Sequence, residues 1–483
     1  MIKPSSVAAI GKPVQTMSEF WELAGSLLGG TAAMRAAGKK HLPQWPNEPD
    51  DAYDRRRKAA VLFPAYKRTI STLSGKPFSK PLTLDDEVPE QIKEWLEDCD
   101  LQGRSLNVFA SDMFQVALGY GLGGILVEYQ KVPRAPEAQP LTQAQVAQLG
   151  LRPYLVEIKP GQLLGWRTER GADGVHRITQ LRYKECVAEA DGAYGDKEVE
   201  QVRVLSPGLW EIHRLDNEKK DWVLFDQGAT TLNFVPFVPL YGERLGLMRA
   251  APPLIEVAHL NVAHWQSASD QQNILHVARV PILTVIGVDD EGFQLTVGAS
   301  AAVRLPMGGD LKYVEHTGAA IAAGAADLDD LEERMRQAGA ELLVLKQGDI
   351  TATQTNTENA VGMCALQRTA EVFEDALDTV LQMMSDWVGL GPGGHVTLFK
   401  DYGAATLAEA SADLLLKANQ AGKISDETMH SEFQRRGFLS ADVTWEEEQQ
   451  RLADQGPGLG TLDEPGNPVV KPGGPTPTPG AEV

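Results

Sequence analysis

APPLIEVAHLNVAHWQSASDQQNILHVARV, residues 251–280, decides the fold. Pro252 and Pro253 suit a first helical turn, where a missing N–H costs nothing and φ is already set. No further glycine or proline occurs until the Val280–Pro281 step, which pushes the residue ahead of the proline out of the α region. Leu254, Val257, Ala258, Val262 and Trp265 recur at helical spacing, and Leu275 and Ala278 resume near the other end. The spacing predicts a helix over 252–279, a rod of roughly 40 Å at about 1.5 Å per residue. Its centre, Gln266 to Asn273, is polar all round, so neighbouring helices or subunits must hold it.

Downstream, ILTVIGV (282–288), AAVRLP (301–306) and DLKYVEH (310–316) read as short strands of a small α/β insert over 280–322. DLDDLEERMRQAGAELLVL (327–345) reads as a second helix, within 323–345, whose start is acidic as the macrodipole favours. The chain leaves along one rod and returns along another, an antiparallel stalk. KQGDITATQTNTEN (346–359) is polar and without periodicity; Thr355 and Glu358 fit a capping box for a helix from Glu358 to Val388, the most amphipathic in the chain.

Upstream, Met17–Leu28 has a helical pattern, and acids at Asp50 and Asp51 open a helix whose apolar face runs through Tyr66, Ile70 and Leu73 to Gly75. The run Arg55–Lys58 reads as a solvated or interface face balanced by Asp50, Asp51 and Asp54. Two more helical patterns fill 90–118. Gly119, Gly121 and Gly124 match G-x-G-x-x-G, but a helix precedes them and a strand, 125–129, follows, the reverse of a dinucleotide site. They read as a helix stop and a turn. PYLVEI, LGWRTE, ITQLRYKECVAEA, EVEQVRVLS, LWEIHRL, DWVLFD and FVPFVPLYG, between Arg152 and Tyr241, predict an antiparallel β-rich region. Residues 404–453 read as short helices, and the Pro/Gly-rich segment from Gln455 onward as a disordered tail.

The 483 residues carry a formal net charge of −21, which argues against a protein that wraps or reads DNA through a basic face. It leaves room for a channel that DNA passes without sticking. Cys99, Cys186 and Cys364 are too widely spaced for a metal cluster, and no apolar run is long enough for a membrane span. No phosphate-binding loop, H-E-x-x-H, paired C-x-x-C or G-x-S-x-G motif occurs. His259 and His264, five apart, point about 140° from each other on a helix, the wrong offset for a shared metal. No cofactor, metal or catalytic residue is expected. The alternative reading is a soluble ligand- or metal-binding enzyme with a helical stalk insertion.

LPQWPNEPDDAYDRR, TISTLSGKPFSKP, ALGYGLGGILVEY, RPYLVEIKPGQLLGWR, VLSPGLWEIHR, FVPFVPLYG, PPLIEVAHLNVAHWQSASDQQNILHVARVPILTVIG, KYVEHTGAAI and TATQTNTENA, in this order, resemble the portal proteins of tailed bacteriophages, in a subgroup catalogued only as a domain of unknown function. The resemblance spans roughly residues 41–450. It implies an α+β, portal-like subunit: an N-terminal arm (1–40), a β-rich wing (41–251 with 389–403), two stem helices (252–279 and 323–345), and a clip (280–322). A tunnel loop (346–359), a long helix (360–388), a helical crown (404–455) and the tail (456–483) complete it. Such a protein is no enzyme. It forms a ring, twelve-fold in the capsid, at one vertex of the virion, assembled in the bacterial host cytoplasm. Double-stranded DNA passes through it in packaging and ejection, and its implied partners are terminase, a tail adaptor, and the major capsid and scaffolding proteins, with no membrane. Lys346, Gln347, Thr351, Thr353, Gln354, Thr355 and Asn356 would line the tunnel. Trp265, Gln266, Asp270, Asp327, Asp330, Glu333 and Arg334 would serve the stem and its subunit contacts, the acids either meeting a neighbour's cations or lining the channel. Asp289, Asp290, Glu291, Phe293 and Arg304 would dock the motor or adaptor.

Overall fold

The computed structural model describes residues 6–130, 143–216, 218, 220–279, 282–286, 310–314, 319–343, 364–400, 402, 416, 419–420, 422–423, 425–435 and 445–454. The chain forms two compact units, Met1–Lys400 and Asp401–Val483. The first is α+β with antiparallel sheets. Helices α1 (Lys12–Leu28), α2 (Gly30–Ala37), α3 (Asp50–Ala59) and α4 (Ala65–Ser74) lead to strand β1 (Thr83–Leu84), then α5 (Glu90–Trp95) and α6 (Leu106–Tyr120). Strand β2 (Leu122–Tyr129), helix α7 (Gln143–Gln148), and strands β3 (Pro153–Ile158), β4 (Leu163–Arg170), β5 (His176–Asp191), β6 (Gly195–Ser206), β7 (Leu209–Asp216), β8 (Asp221–Ala229) and β9 (Phe237–Tyr241) follow. A hairpin of β10 (Glu243–Gly246) and β11 (Arg249–Ala251) leads into α8 (Ile255–Ala278). Strands β12 (Ile282–Ile286) and β13 (Asp310–Val314) precede α9 (Ala319–Ala340), and α10 (Ala365–Val388) and β14 (Val396–Thr397) close the unit.

The strand-like runs of the sequence become two sheets. One is an antiparallel meander, β4-β5-β6-β7-β8; the other has the order β3-β2-β9. Both outer strands of the meander carry a bulge, Leu164 on β4 and Phe225 on β8, and the N–H of Gly11 donates to the Leu164 carbonyl at 2.7 Å. Bulges and covered carbonyls blunt a sheet edge against stray pairing. Leu122, Leu126, Ile158, Leu181, Tyr183 and Leu205 face a shared core with Val14, Met17 and Trp21 of α1, so the N-terminal segment is part of the body. Arg203 of β6 pairs with Glu128 of β2 at 2.5 Å and ties the sheets at one side. Gly121 ends α6 at φ 83°, and a Cβ there would stand 2.3 Å from the Ala251 carbonyl carbon. Gly121 is thus the expected helix stop, whereas Gly119 lies within α6 and Gly124 within β2, paired with Ile158 and Pro239, and not in a turn.

Four boundaries correct the sequence reading. The helix expected from Asp50 to Gly75 is broken: α3 ends at Ala59 and α4 begins at Ala65, because Pro64 removes a donor and forces Phe63 out of the α region. The helix expected over 252–279 begins at Ile255, since pairing of Ala251 with Glu243 keeps the preceding backbone extended. The second rod begins at Ala319, earlier than 323 or Asp327, so Asp327, Asp329 and Asp330 sit inside it and gain nothing from its N-terminal dipole. The long helix begins at Ala365 and not at Glu358: Cys364 is extended (φ −71°, ψ 161°), and its sulfur and the Gln367 side chain form a capping box.

α8 is seated by polar contacts. Asn261, fully buried, accepts from the Tyr66 N–H at 3.0 Å and donates to the Phe63 carbonyl at 2.8 Å. Pro64 occupies the N-cap of α4 and offers no side-chain cap, so a residue almost two hundred positions away caps that helix. Tyr66 in turn donates to the Gly119 carbonyl at 2.6 Å, joining α4 to α6. In the second unit, helices α11 (Asp426–Arg435) and α12 (Trp445–Asp454) meet through the His430 and Trp445 rings, 5.4 Å apart, and Ser425 caps the first by accepting from the Thr428 N–H.

Asn261→Ala leaves the buried Tyr66 N–H unpaired, at about 1–3 kcal/mol, while the Phe63 carbonyl keeps the Ala65 N–H. Urea denaturation should show a loss of about 1–3 kcal/mol. Asn261→Asp, which keeps the acceptor but sets a carboxylate against the Phe63 carbonyl, should do no better.

Candidate functional site

The antiparallel pair of helices expected from the sequence is present. Ser267 donates to Asp327 at 2.6 Å, Gln271 to the Ile321 carbonyl at 2.8 Å, and His264 lies 3.6 Å from Glu332, so positions rising along α8 meet positions falling along α9: the pair is antiparallel. The chain beyond the pair continues as the antiparallel β12–β13 ladder, Ile282 opposite Val314 and Ile286 opposite Asp310. Residues 301–306, expected as a further strand, lie outside the described residues.

Gly324 makes room between the helices for the Gln271 side chain. A Cβ at this position would stand 2.1 Å from Oε1 of Gln271, whose Nε2 holds the Ile321 carbonyl. At the far end of α9, a Cβ on Gly339 would stand 2.9 Å from Thr69 of α4. Glycine interrupts helix propensity at both places, yet both are sites of close approach.

The opposite side of α8 meets the segment around α3. Arg56, buried, grips Glu48 with Nε and Nη2 at 2.8 Å each, donates to the Pro43 carbonyl, and stacks over the Trp45 ring at 4.0 Å. Its Nη1 lies 3.7 Å from Asp270 of α8. The guanidinium beside Glu48 holds that carboxyl below its usual range, while burial pushes Asp270 up. Arg55 and Arg57 do pair with Asp51 and Asp54, as a solvated face would. Arg56 departs from that face and is an internal tie.

Of the residues singled out for the stem, Trp265 is fully buried, and its indole N–H has no partner among the described residues. Gln266 donates to the His41 carbonyl at 2.9 Å, and Asp270 faces Arg56. Asp327 accepts from Ser267. Asp330 pairs with Arg334 at 2.7 Å and Glu333 with Arg336, all exposed and on α9 itself. Trp265, Gln266 and Asp270 are thus engaged within the chain, whereas Asp330, Glu333 and Arg334 remain at a surface. The expected tunnel residues Lys346, Gln347, Thr351, Thr353, Gln354, Thr355 and Asn356, and the expected clip residues Asp289, Asp290, Glu291, Phe293 and Arg304, lie outside the described residues. Sequence reasoning missed Asn261, Gln271, Gly324 and Arg56. Asn261 did leave a signal, a polar residue at apolar spacing between Leu254, Ala258 and Trp265.

His264 packs on the Phe63 ring, centroids 5.2 Å apart, with its Nδ1 buried and unpartnered. Desolvation lowers its pKa, against the smaller opposing pull of Glu332 and Asp327. Among the described residues no group of three or more His, Cys, Asp or Glu is placed to hold a metal ion, and no helix is long and apolar enough to cross a membrane.

Residues 253–388, which open inside the stretch that decides the fold, match the family DUF4055, described as a domain of unknown function. No curated protein matches the chain. Among solved structures, a chain from the virion of the native gene transfer agent particle is similar at 13% identity and a TM-score of 0.37, covering 82% of this chain and 96% of that one. A chain from the neck of the native particle, computed with C12 symmetry, gives 13% identity and 0.36 over 76% and 89%. One from the neck of the empty particle, computed with C6 symmetry, gives 14% and 0.36 over 83% and 96%.

Two predictions follow from the paired helices. Gly324→Ala should destabilise the protein by about 1–3 kcal/mol through the clash with Gln271. In a Gln271→Ala background the same change should be neutral or stabilising by up to about 1 kcal/mol, since alanine is the better helix former; a double-mutant cycle in urea reads the coupling. For His264, the unfolded imidazole titrates near pH 6.5 and the folded one lower, so the unfolded state takes the proton first. Its contribution is complete above about pH 6.5 and is lost as the pH falls towards the folded pKa. The fall in unfolding midpoint between pH 7.5 and 5.5 should be shallower in His264→Gln.

Proposed function

We propose that the chain is the portal subunit of a tailed-phage-like particle, forming a ring, twelve-fold in the capsid, at one vertex of the virion. Double-stranded DNA would pass through the ring in packaging and ejection. The observation that carries the reading is the antiparallel pair α8 and α9, continued by the β12–β13 ladder: a stalk from a β-rich body with a small tip. In this assignment the pair is the stem, the tip is the clip that receives terminase and later a tail adaptor, and the five-stranded meander belongs to the wing. Residues 346–359 would be the tunnel loop and 404–455 the crown. Assembly with scaffolding and major capsid proteins would occur in the cytoplasm of a bacterial host.

Charge supports the role. Double-stranded DNA carries about one negative charge per 1.7 Å, and a protein that neutralises phosphates holds them. A conduit must let them go. A chain of net charge −21 repels the backbone, and the exposed cations of α9, Arg334 and Arg336, are each already paired with a carboxylate of the same helix. The loop 346–359 is rich in Thr, Asn and Gln, with Lys346 the positive charge at its edge. Such groups offer DNA weak, exchangeable hydrogen bonds. The protein on this reading is a structural element, with catalysis left to a separate motor.

Light scattering after size exclusion should give a mass of about twelve 52.4 kDa chains, roughly 630 kDa, with a central hole in negative-stain images. A chain that stays monomeric at high concentration, and also when produced with the scaffolding and capsid proteins of its own particle, would overturn the proposal.

A further inference from the structure

Two exposed hairpins of the first unit carry opposite chemistry, and the stem and tip assignments use neither. One is the far half of β5–β6. β4 pairs with β5 only as far as Tyr183, and β7 pairs with β6 only from Gln201, so Cys186–Asp191 and Gly195–Glu200 pair with each other alone. At about 3.4 Å per residue this ribbon runs about 20 Å past the last strand pairing on either side. Its root is braced: Arg214 of β7 donates to Glu189 at 2.7 Å and to Gln201 at 3.1 Å, Lys197 lies 3.8 Å from Glu189, and Lys184 holds Glu200 at 2.6 Å. Its tip is not. Tyr194, in the turn, is 103% exposed. Asp196 and Glu198 share one face with Ala190 and Ala188 directly opposite; all four are exposed, and neither carboxylate forms an ion pair among the described residues. A two-stranded ribbon is marginal in water by itself, so an arm of this length gains from a surface to lie against.

The other hairpin is β10–β11. Its register sets Arg244 opposite Ala250 and Arg249 opposite Gly246, so the two arginines flank Leu245 within one tight turn of chain. Leu245 is 59% exposed. Both arginines are exposed and form no ion pair among the described residues; Arg244 stands over the Tyr241 ring at 4.9 Å. Glu243 precedes Arg244 and so points to the other face of its strand. Met248 and Ala250 are buried in the core of the body, which holds the exposed side of the hairpin in place. In a protein of net charge −21 this cationic hairpin is the complement of the ribbon tip: two arginines about a leucine, against two carboxylates beside a tyrosine.

We infer that the β5–β6 tip of one copy of this chain docks on the β10–β11 hairpin of the next, which names one subunit contact of the ring proposed above and rests on that proposal. Asp196 and Glu198 accept charge-assisted hydrogen bonds from Arg244 and Arg249, and the Tyr194 ring lies against Leu245 with a guanidinium at its face. Like hairpins repel: ribbon against ribbon sets carboxylates together, and β10–β11 against itself sets arginines together. The contact therefore joins unlike surfaces, and each added copy brings one arm and one acceptor, the condition for head-to-tail growth that closes into a ring. Its charged pairs also steer the encounter and fix its register.

The test uses the full chain with Tyr194→Cys and Leu245→Cys in a Cys186→Ser background, which removes the exposed native thiol. Mild oxidation should give a ladder of covalent multimers on a non-reducing gel, and mixing the two single-cysteine chains should give covalent dimers. Asp196→Arg/Glu198→Arg and Arg244→Glu/Arg249→Glu, all at exposed positions, should each lower the crosslinked fraction at least tenfold, and the two pairs combined in one chain should restore it, with unfolding midpoints checked throughout. Where the cysteine variants do not fold, the same loss and rescue are read as the assembled fraction in light scattering. A ring that forms without the crosslink, or that both charge reversals leave unchanged, overturns the inference alone. So does a ring that the reversals spare but that then fails to enter the capsid when the major capsid protein is co-produced, which would make that protein the partner of the arm. Crosslinked chains that never close, or that stop at a reciprocal dimer, refute the ring alone. A chain that stays monomeric and uncrosslinked at high concentration, and also beside its own scaffolding protein, overturns both.

Discussion

The carboxamide of Asn261 settles where the stalk meets the body. It answers the Tyr66 N–H, which Pro64 leaves without a side-chain cap, and adds a second donor to the Phe63 carbonyl beside the Ala65 N–H, and it does so from the middle of a helix that otherwise lacks a strong apolar face. The same logic repeats along α8. Gln266 meets the His41 carbonyl, Gln271 the Ile321 carbonyl, and Asp270 the Arg56 guanidinium. Its polar middle is therefore a row of partners for specific groups on three neighbours. Hydrophobic contact is indifferent to direction, whereas these bonds specify one orientation and one depth for the helix.

That arrangement has a cost that fits a structural role. Asn261 and Gln271, both buried on α8, must keep their partners, so a substitution at either is penalised. A protein that must hold a stalk at a fixed angle gains from such intolerance. An apolar seam of the same area would hold as tightly, but with several nearly equivalent packings.

Much of this was legible beforehand. Strand periodicity between Arg152 and Tyr241 yielded the five-stranded meander and the two outer strands of the other sheet, because alternation on a half-buried sheet is a local property; the central strand β2 came from the separate apolar run at 125–129. The antiparallel pair α8 and α9 was legible too, from two periodic stretches around a strand-rich insert. What failed were ends. Residues 319–322 (AAIA) read as part of the insert because small residues carry no periodic signal, yet they form the first turn of α9. Pro64 was masked by apolar residues on either side, and the role of Cys364 as a cap depended on Gln367 three positions on, a weaker signal than the Thr355 and Glu358 pair. Arg56 was hidden in a run of four cations in which Arg55 and Lys58 are exposed and Arg57 is half-buried against the Arg35 carbonyl. Burial is decided by tertiary neighbours, and sequence spacing alone does not separate Arg56 from Arg55.

The notch at Gly324 also bears on mechanics. Gln271 fills it and grips the backbone behind it, so α8 and α9 are keyed to each other along their axes, as a pin keys two shafts. Slipping by a single residue would move the pin about 1.5 Å and drive it into a neighbouring alanine. A pull applied at the β12–β13 end is therefore shared between both rods and does not shear one past the other. It reaches the body at Asn261 and Arg56 as a displacement of the whole pair.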